Sequence, residues 1–85
     1  MTAEMNIDEL ELVVLRGLAG QMRLDEASTI WNASVLSAEQ DTLMHQLIHF
    51  ITDDDLRSRD AQYNQMQRSQ ILGMLAALKT NKHSP

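Results

Sequence analysis

The chain has no cysteine and contains only one proline, three glycines and three aromatic residues among its 85 residues. Without cysteine it can form neither a disulfide nor a thiolate metal site. The scarcity of proline and glycine, together with many Leu, Met, Gln, Ala and Glu residues, favours helices. A chain of this length forms one small domain, whose core supplies only about 3–5 kcal/mol. Because disulfides are excluded, we expect self-association to add stability.

Long apolar segments are also missing. The N-terminal residues have neither the basic start nor the apolar run of a signal peptide. The longest apolar stretch in this region covers residues 12–15, far fewer than the ~20 residues that a membrane span needs. We therefore expect a soluble cytoplasmic protein with no membrane partner, and the lack of cysteine agrees with a reducing compartment.

Charge is divided unevenly along the chain. Residues 1–55 contain eleven Asp and Glu against Arg16 and Arg23, whereas residues 56–85 contain only Asp60 against five Lys and Arg. The formal charge is therefore −9 in the first part and +4 in the second, and −5 in total. Unlike fields attract and like fields repel, so this division predicts a molecule that acts through contacts rather than through chemistry.

Start signals and apolar spacing divide the first 51 residues into three helices. Asn6 followed by Glu9 predicts a helix start, and that helix should end near residues 19–22. A short helix is predicted over 25–33, with Asp25 as its cap and Trp31 on its apolar side. Ser37 with Gln40 forms the clearest capping box and opens the middle helix.

The last helix is predicted to run from about Asp53 to Lys79, with Thr52 as its cap and three acidic residues in its first turn. Its first half is polar, while 71–78 is almost entirely apolar. The predicted fold is all-α: one domain over residues 1–85, a three- to four-helix bundle or helical hairpin with a long C-terminal helix. Residues 1–5 and 80–85 should be flexible. The predicted core consists of Leu10, Val14, Leu18, Leu43, Leu47, Ile48, Ile51, Ile71, Leu75 and Leu78.

Apolar surface exceeds what one bundle of this size can cover. Leu12 and Leu15 add apolar side chains to the other side of the first helix, and 71–78 is apolar nearly all round. Exposed apolar surface marks association sites. The acidic part of one subunit can also meet the basic helix of a second subunit, an arrangement that suits two-fold symmetry. We therefore predict a homodimer.

Four residues with metal-binding side chains recur at every fourth position of the middle helix: Asp41, His45, His49 and Asp53. The two histidines can reach one ion or form a pH-sensitive patch, but four groups along a straight helix cannot all converge. The simpler interpretation is a solvated helix face, so no metal site is predicted. The acidic run 53–55 is followed by neither the glycine nor the glutamate of a calcium loop.

No pattern in the sequence predicts catalysis or a cofactor. The chain has no glycine-rich phosphate loop, no nucleophile elbow and no Cys/His pair, and its serines lie in no motif that supplies a base. A chain this short can hardly enclose a substrate pocket. We therefore expect a protein that is not an enzyme and has no cofactor.

The basic C-terminal helix carries the candidate contact residues, which are Arg57, Arg59, Tyr63, Met66 and Arg68. Its polar half gains little by folding onto its own domain, and Tyr and Arg are favoured at interfaces. We predict a small acidic regulatory or adaptor protein that binds another protein and inhibits, escorts or sequesters it. The alternative is a DNA-binding regulator that uses this helix, although an acidic chain is an unusual partner for DNA. The acidic half could also mimic nucleic acid.

Overall fold

The computed structural model describes residues 4–83, except for the side chains of Arg57 and of residues 81–83. Over this range the chain forms five helices and no strand. The helices are α1 (Ile7–Leu18), α2 (Leu24–Ala33), α3 (Ala38–Thr52), α4 (Asp54–Arg59) and α5 (Ala61–His83). The all-α prediction is thus confirmed.

Both ends of α1 follow from local chemistry. The Asn6 side chain accepts a hydrogen bond from the Asp8 N–H at 2.7 Å, which satisfies one free donor at the helix start. Beyond the other end, Gly20 takes a positive φ of 74°. The Gly20 N–H then donates to Gly17 O, and the Gln21 N–H donates to Arg16 O. These two bonds close the helix end. They require the positive φ of residue 20, which glycine adopts at little steric cost.

The predicted capping box at the start of α3 is confirmed. The Gln40 N–H donates to Ser37 Oγ at 3.2 Å, and the Ser37 N–H donates to Gln40 Oε1 at 3.0 Å. The predicted cap of α2 is wrong, because Arg23 holds the cap position and makes no side-chain capping bond. Asp25 instead lies in the first turn, where its carboxylate accepts from the Glu26 N–H.

The prediction of one uninterrupted C-terminal helix is also wrong, because the chain bends at Asp60. This residue is extended, with φ −136° and ψ 99°, and separates α4 from α5. Its carboxylate accepts from the Tyr63 N–H at 3.1 Å, so Asp60 caps α5 in the way predicted for Thr52. Thr52 is the last residue of α3 and donates its hydroxyl back to Ile48 O.

Contacts near the helix ends set the directions of α1, α3 and α5. The Met5 carbonyl accepts from Gln40 Nε2 at 3.0 Å, so α1 and α3 begin side by side. The Tyr63 hydroxyl donates to Asp53, so the start of α5 lies against the end of α3. α5 therefore runs antiparallel to both α1 and α3.

One apolar cluster lies among α1, α3 and α5. Its buried members are Ile7, Leu10, Val14, Leu18, Leu43, Met44, Leu47, Phe50, Ile71 and Leu75. Ile48, Ile51 and Leu78 belong to the predicted core but are only half-buried. The reason is that α3 turns Leu43, Leu47 and Phe50 inward, which leaves Ile48 at the edge of the buried face. Trp31 is half-buried and packs against the cluster from α2.

A glycine of α1 allows a side chain of α3 to approach closely. A Cβ atom added at Gly17 would lie 2.7 Å from Leu47 Cδ1, closer than two carbon atoms can approach. Both Gly17 and Leu47 are buried. The sequence pattern indicates only that this glycine weakens the end of α1, whereas in the fold it admits the side chain of Leu47.

The predicted flexible termini lie partly outside the described residues, since 1–3 and 84–85 are not described. Within the description, the Met5 N–H donates to the Val35 carbonyl at 2.8 Å, and Met5 packs against the core. Thr80 belongs to α5. Among the helices of the described range, none combines the length and the hydropathy needed to cross a membrane.

Candidate functional site

The four residues spaced by one turn along α3 and its C-terminal end, which are Asp41, His45, His49 and Asp53, are divided among three different contacts. At the first position, Asp41 Oδ1 accepts a hydrogen bond from the indole Nε1–H of Trp31 at 2.7 Å. This bond ties α2 to α3 and satisfies the donor of a half-buried tryptophan. Asp41 therefore has a structural role that the sequence spacing does not indicate.

The two histidines at the middle positions contact each other. His45 Nε2 and His49 Nε2 are 3.0 Å apart, so one ring donates its N–H and the other accepts. The ring centroids are 4.6 Å apart, and the ring of Trp31 stands edge-on to His45 at 5.8 Å. Both histidines are exposed, as the predicted solvated face requires. Within the described residues, no group of three or more His, Cys, Asp or Glu side chains is placed to hold a metal ion.

The fourth position, Asp53, is the centre of a polar cluster at the corner of α3, α4 and α5. Asp53 Oδ2 accepts from the Tyr63 hydroxyl at 2.9 Å and from Gln67 Nε2 at 3.3 Å. The Gln67 amide also lies 3.1 Å from the Tyr63 hydroxyl. Gln67 is buried, and its Oε1 has no hydrogen-bond partner in the structure. The side-chain amide of Gln67 is therefore hydrogen-bonded through its nitrogen and not through its oxygen.

The predicted contact residues differ in how much of each faces outward. Arg59 is exposed and Met66 is 51% exposed, so both are available to a partner. Tyr63 is half-buried against Asp53. Arg68 is half-buried, with its guanidinium 5.2 Å from the centre of the Phe50 ring and its Nε donating to Asn64. The side chain of Arg57 lies outside the described residues.

Leu56 is a further exposed apolar side chain of the α4–α5 region, beyond the predicted contact residues. This side chain is 54% exposed on α4, one turn before the bend at Asp60. We call Leu56, Arg59 and Met66 the α4–α5 surface. The exposure of Leu56 has one sign in the sequence. It is a single leucine in the charged segment 53–60, with no apolar residue at helical spacing with which to form a buried face.

A second apolar surface lies along the outer edge between α1 and α5. Lys79 Nζ donates to Glu11 Oε2 at 2.6 Å and so marks where the two helices adjoin. Leu15 follows Glu11 by one turn of α1, and Leu72 precedes Lys79 by two turns of the antiparallel α5, so both lie on this side. Leu12 precedes Leu15 by three residues and therefore neighbours it on the surface of α1. Leu12, Leu15 and Leu72 are 62%, 48% and 43% exposed, respectively. We call these three residues the leucine surface.

An ion pair within the described residues joins the two differently charged parts of the chain, because Lys79 of the basic part bonds Glu11 of the acidic part. Besides Lys79 with Glu11, Arg16 lies 3.0 Å from Glu26 and connects α1 to α2. Arg23 lies 3.5 Å from Asp25, with both side chains mostly exposed. Part of the charge division is thus satisfied inside the subunit.

One groove between α3 and α5 is apolar. It is lined by Glu39, Thr42, Met74, Ala77 and Leu78, has a volume of about 210 Å³ and opens to solvent. Enclosed ligand sites usually have volumes of several hundred cubic ångströms and converging polar groups. This groove has the size of a single side chain rather than of a metabolite.

Comparisons of the chain with protein-family models, with curated protein sequences and with solved structures found no match.

Proposed function

We propose that this protein is a small acidic regulator or adaptor of the cytoplasm, which acts by binding another protein as an inhibitor, escort or sequestering partner. The observation that carries the proposal is the α4–α5 surface, where Leu56 and Met66 are each more than half exposed and Arg59 is exposed as well. Exposed apolar side chains together with an exposed arginine match the composition of protein interfaces. The proposed role involves neither catalysis nor a cofactor.

The backbone at this surface supports a contact role. α4 has only six residues and is bounded by Asp53 and Asp60, both of which have non-helical backbone angles. So short a helix depends on its neighbours for stability. It is anchored nearby through Asp53, which also holds Tyr63 and Gln67. Leu56 and Arg59 can therefore be presented outward from a corner that is fixed at its base.

We also propose that the protein forms a homodimer through the leucine surface. Leu12, Leu15 and Leu72 lie at an edge where an acidic helix, α1, adjoins the basic half of the chain. Asp8 and Glu9 are exposed in the first turn of α1, and residues 56–85 carry a net positive charge. A second copy offers both the apolar area and the opposite charge, so two copies related by a two-fold axis complement each other.

Direct DNA binding remains the alternative, and the engagement of the basic side chains argues against it. Lys79 is paired with Glu11, and Arg68 lies over Phe50 while it bonds Asn64. Phosphate contacts require several free cations along one face. Arg59 is exposed, but one cation does not meet this requirement, and the acidic residues 53–55 and Asp60 are close to it in the chain.

The test of the proposal is capture of proteins from an extract of the native host by the tagged wild type and by Arg59→Glu with Met66→Ala. Both side chains are exposed, so the double variant should keep its circular dichroism spectrum. The affinity for a protein that the wild type retains should fall by at least about tenfold in the double variant, since interface arginines often contribute more than about 1.4 kcal/mol of binding free energy. Binding must then be reproduced with the two purified proteins.

The matched control is Arg23→Glu with Leu24→Ala, an exposed arginine and an exposed leucine at the start of α2. It changes charge and apolar area in the same way, away from the α4–α5 surface. Equal retention by all three proteins contradicts the proposal. Duplex DNA binding that weakens steeply between about 50 and 200 mM salt supports the alternative instead, because that slope reports phosphate contacts.

A further inference from the structure

We propose that His45 and His49 form a binding site for a divalent transition-metal ion, Cu²⁺ or Ni²⁺. The two histidines lie one turn apart on the exposed side of α3, with their Nε2 atoms 3.0 Å apart. Imidazole nitrogen is a preferred ligand of these ions, and two histidines spaced by one helical turn can bind one ion together.

The short separation of the two nitrogens shows that both can reach one ion. At 3.0 Å they are joined by a hydrogen bond, so a bound ion would replace the shared proton and the two rings would turn toward the ion. Among divalent first-row metal ions, affinity for nitrogen ligands is highest for Cu²⁺ and lower for Ni²⁺ and Zn²⁺. The site should therefore bind Cu²⁺ most tightly.

The surroundings of the pair leave room for an ion. Both rings are exposed, so they can rotate to direct their lone pairs toward one point. The carboxylates one turn away on either side are engaged elsewhere, Asp41 with Trp31 and Asp53 with Tyr63. The described residues thus supply two ligands, and water or a second pair of histidines from another copy supplies the rest.

Trp31 provides a reporter for this site, because it is the only tryptophan of the chain and its ring lies 5.8 Å from that of His45. Bound Cu²⁺ should quench its fluorescence. The experiment is a titration of the full chain with CuCl₂ at one fixed pH, since protons and metal ions compete for imidazole nitrogen. Equilibrium dialysis measures the number of ions bound per chain. We expect saturable quenching at one ion per chain, and weaker binding of Ni²⁺ and Zn²⁺.

His49→Ala is the informative variant, because it removes one ligand and leaves the contact between Trp31 and His45 in place. Its apparent dissociation constant for Cu²⁺ should rise by at least about tenfold. Changing a residue that only hydrogen-bonds a metal ligand already weakens metal binding by about that factor. His45→Ala should do the same in the dialysis, which does not depend on Trp31. The control is His83→Ala, which removes the third histidine of the chain.

The outcomes separate the alternatives. Binding of half an ion per chain that is lost in both His45→Ala and His49→Ala supports the site. It would mean that the histidines of a second copy are the other ligands of the ion. Binding by His49→Ala that equals the wild type overturns the proposal, as does binding that is lost only in His83→Ala. Circular dichroism checks that the variants are folded, so a loss of binding cannot be assigned to unfolding.

Discussion

The two faces of α1 are both apolar, but only one of them is matched by the rest of the chain. On the inner face, Leu10 and Val14 are buried, and Gly17 admits Leu47 of α3. On the outer face, Leu12 and Leu15 are 62% and 48% exposed. The difference shows that apolar spacing alone does not decide burial, because a side chain is buried only where another element provides a complementary surface.

The largest effect is expected on the inner face, from Leu47→Ala. This side chain is fully buried against Gly17, which has no side chain to fill a cavity. We expect the free energy of unfolding to fall by about 2–5 kcal/mol, as measured for buried leucines. Since this can exceed half of the stability of a small domain, urea denaturation should be measured at low temperature.

Ile48→Ala serves as the matched control for Leu47→Ala, since it removes a similar volume from the neighbouring, half-buried position of the same helix. It should cost less than half as much, because the altered site is open to solvent. Equal losses of unfolding free energy at the two positions would mean that the close contact between α1 and α3 adds no stability beyond that of a half-buried side chain.

An intermediate effect is expected on the outer face, from Leu12→Gln with Leu15→Gln. Glutamine keeps the length and helix propensity of leucine, so the helix content should not change. If the leucine surface joins two subunits, the dimer dissociation constant should rise by at least about tenfold, because each buried leucine contributes about 1.5–3 kcal/mol. Sedimentation equilibrium at ~10–100 μM measures the oligomeric state in a range suited to a modest interface.

Leu24→Gln is the control for the outer face, since this exposed leucine lies on α2. It should leave the dimer intact. A wild type that sediments as a monomer throughout this range would rule out the proposed dimer and remove the functional difference between the two faces of α1.

The smallest effect is expected where polar bonds replace apolar packing, at Asp53. Asp53→Ala removes the acceptor of the Tyr63 hydroxyl and the Gln67 amide. The free energy of unfolding should fall by about 1–2 kcal/mol, because Gln67 is buried and already has one unpaired atom. Thermal unfolding followed by circular dichroism measures this loss.

Asp53→Asn tests whether the acceptor or the charge matters at this corner. Asparagine keeps one side-chain oxygen for the two donors and removes the negative charge. We expect it to retain more than half of the stability that Asp53→Ala loses. A loss equal to that of alanine would assign the effect to the charge near the start of α4 rather than to the hydrogen bonds.

Local signals in the sequence were sufficient for the helical class and for the helix starts at Asn6 and Ser37. A side chain that caps a helix acts on backbone groups only two or three residues away, so its effect is visible in the sequence. The bend at Asp60 belongs to the same kind of signal, since its carboxylate caps a donor three residues ahead. It was missed because the basic and glutamine-rich residues around it favour a continuous helix.

The candidate site could be predicted only in part. The exposure of Arg59 and Met66 agrees with a polar segment that has no apolar face of its own. The inward positions of Tyr63 and Arg68 depend on partners far away in the sequence, Asp53 and Phe50. Spacing along one helix cannot reveal such partners.

By itself, the sequence determined where α1 and α3 start, which residues are available for the core, and how charge is divided, because these depend on neighbouring residues or on composition. Tertiary structure decided which of the two apolar faces of α1 is buried, and it gave Gly17 its role against Leu47. It also decided that His45 and His49 contact each other while Asp41 and Asp53 bond other helices. The physical reason is that burial and side-chain pairing depend on the distance between elements, which only the packed fold sets.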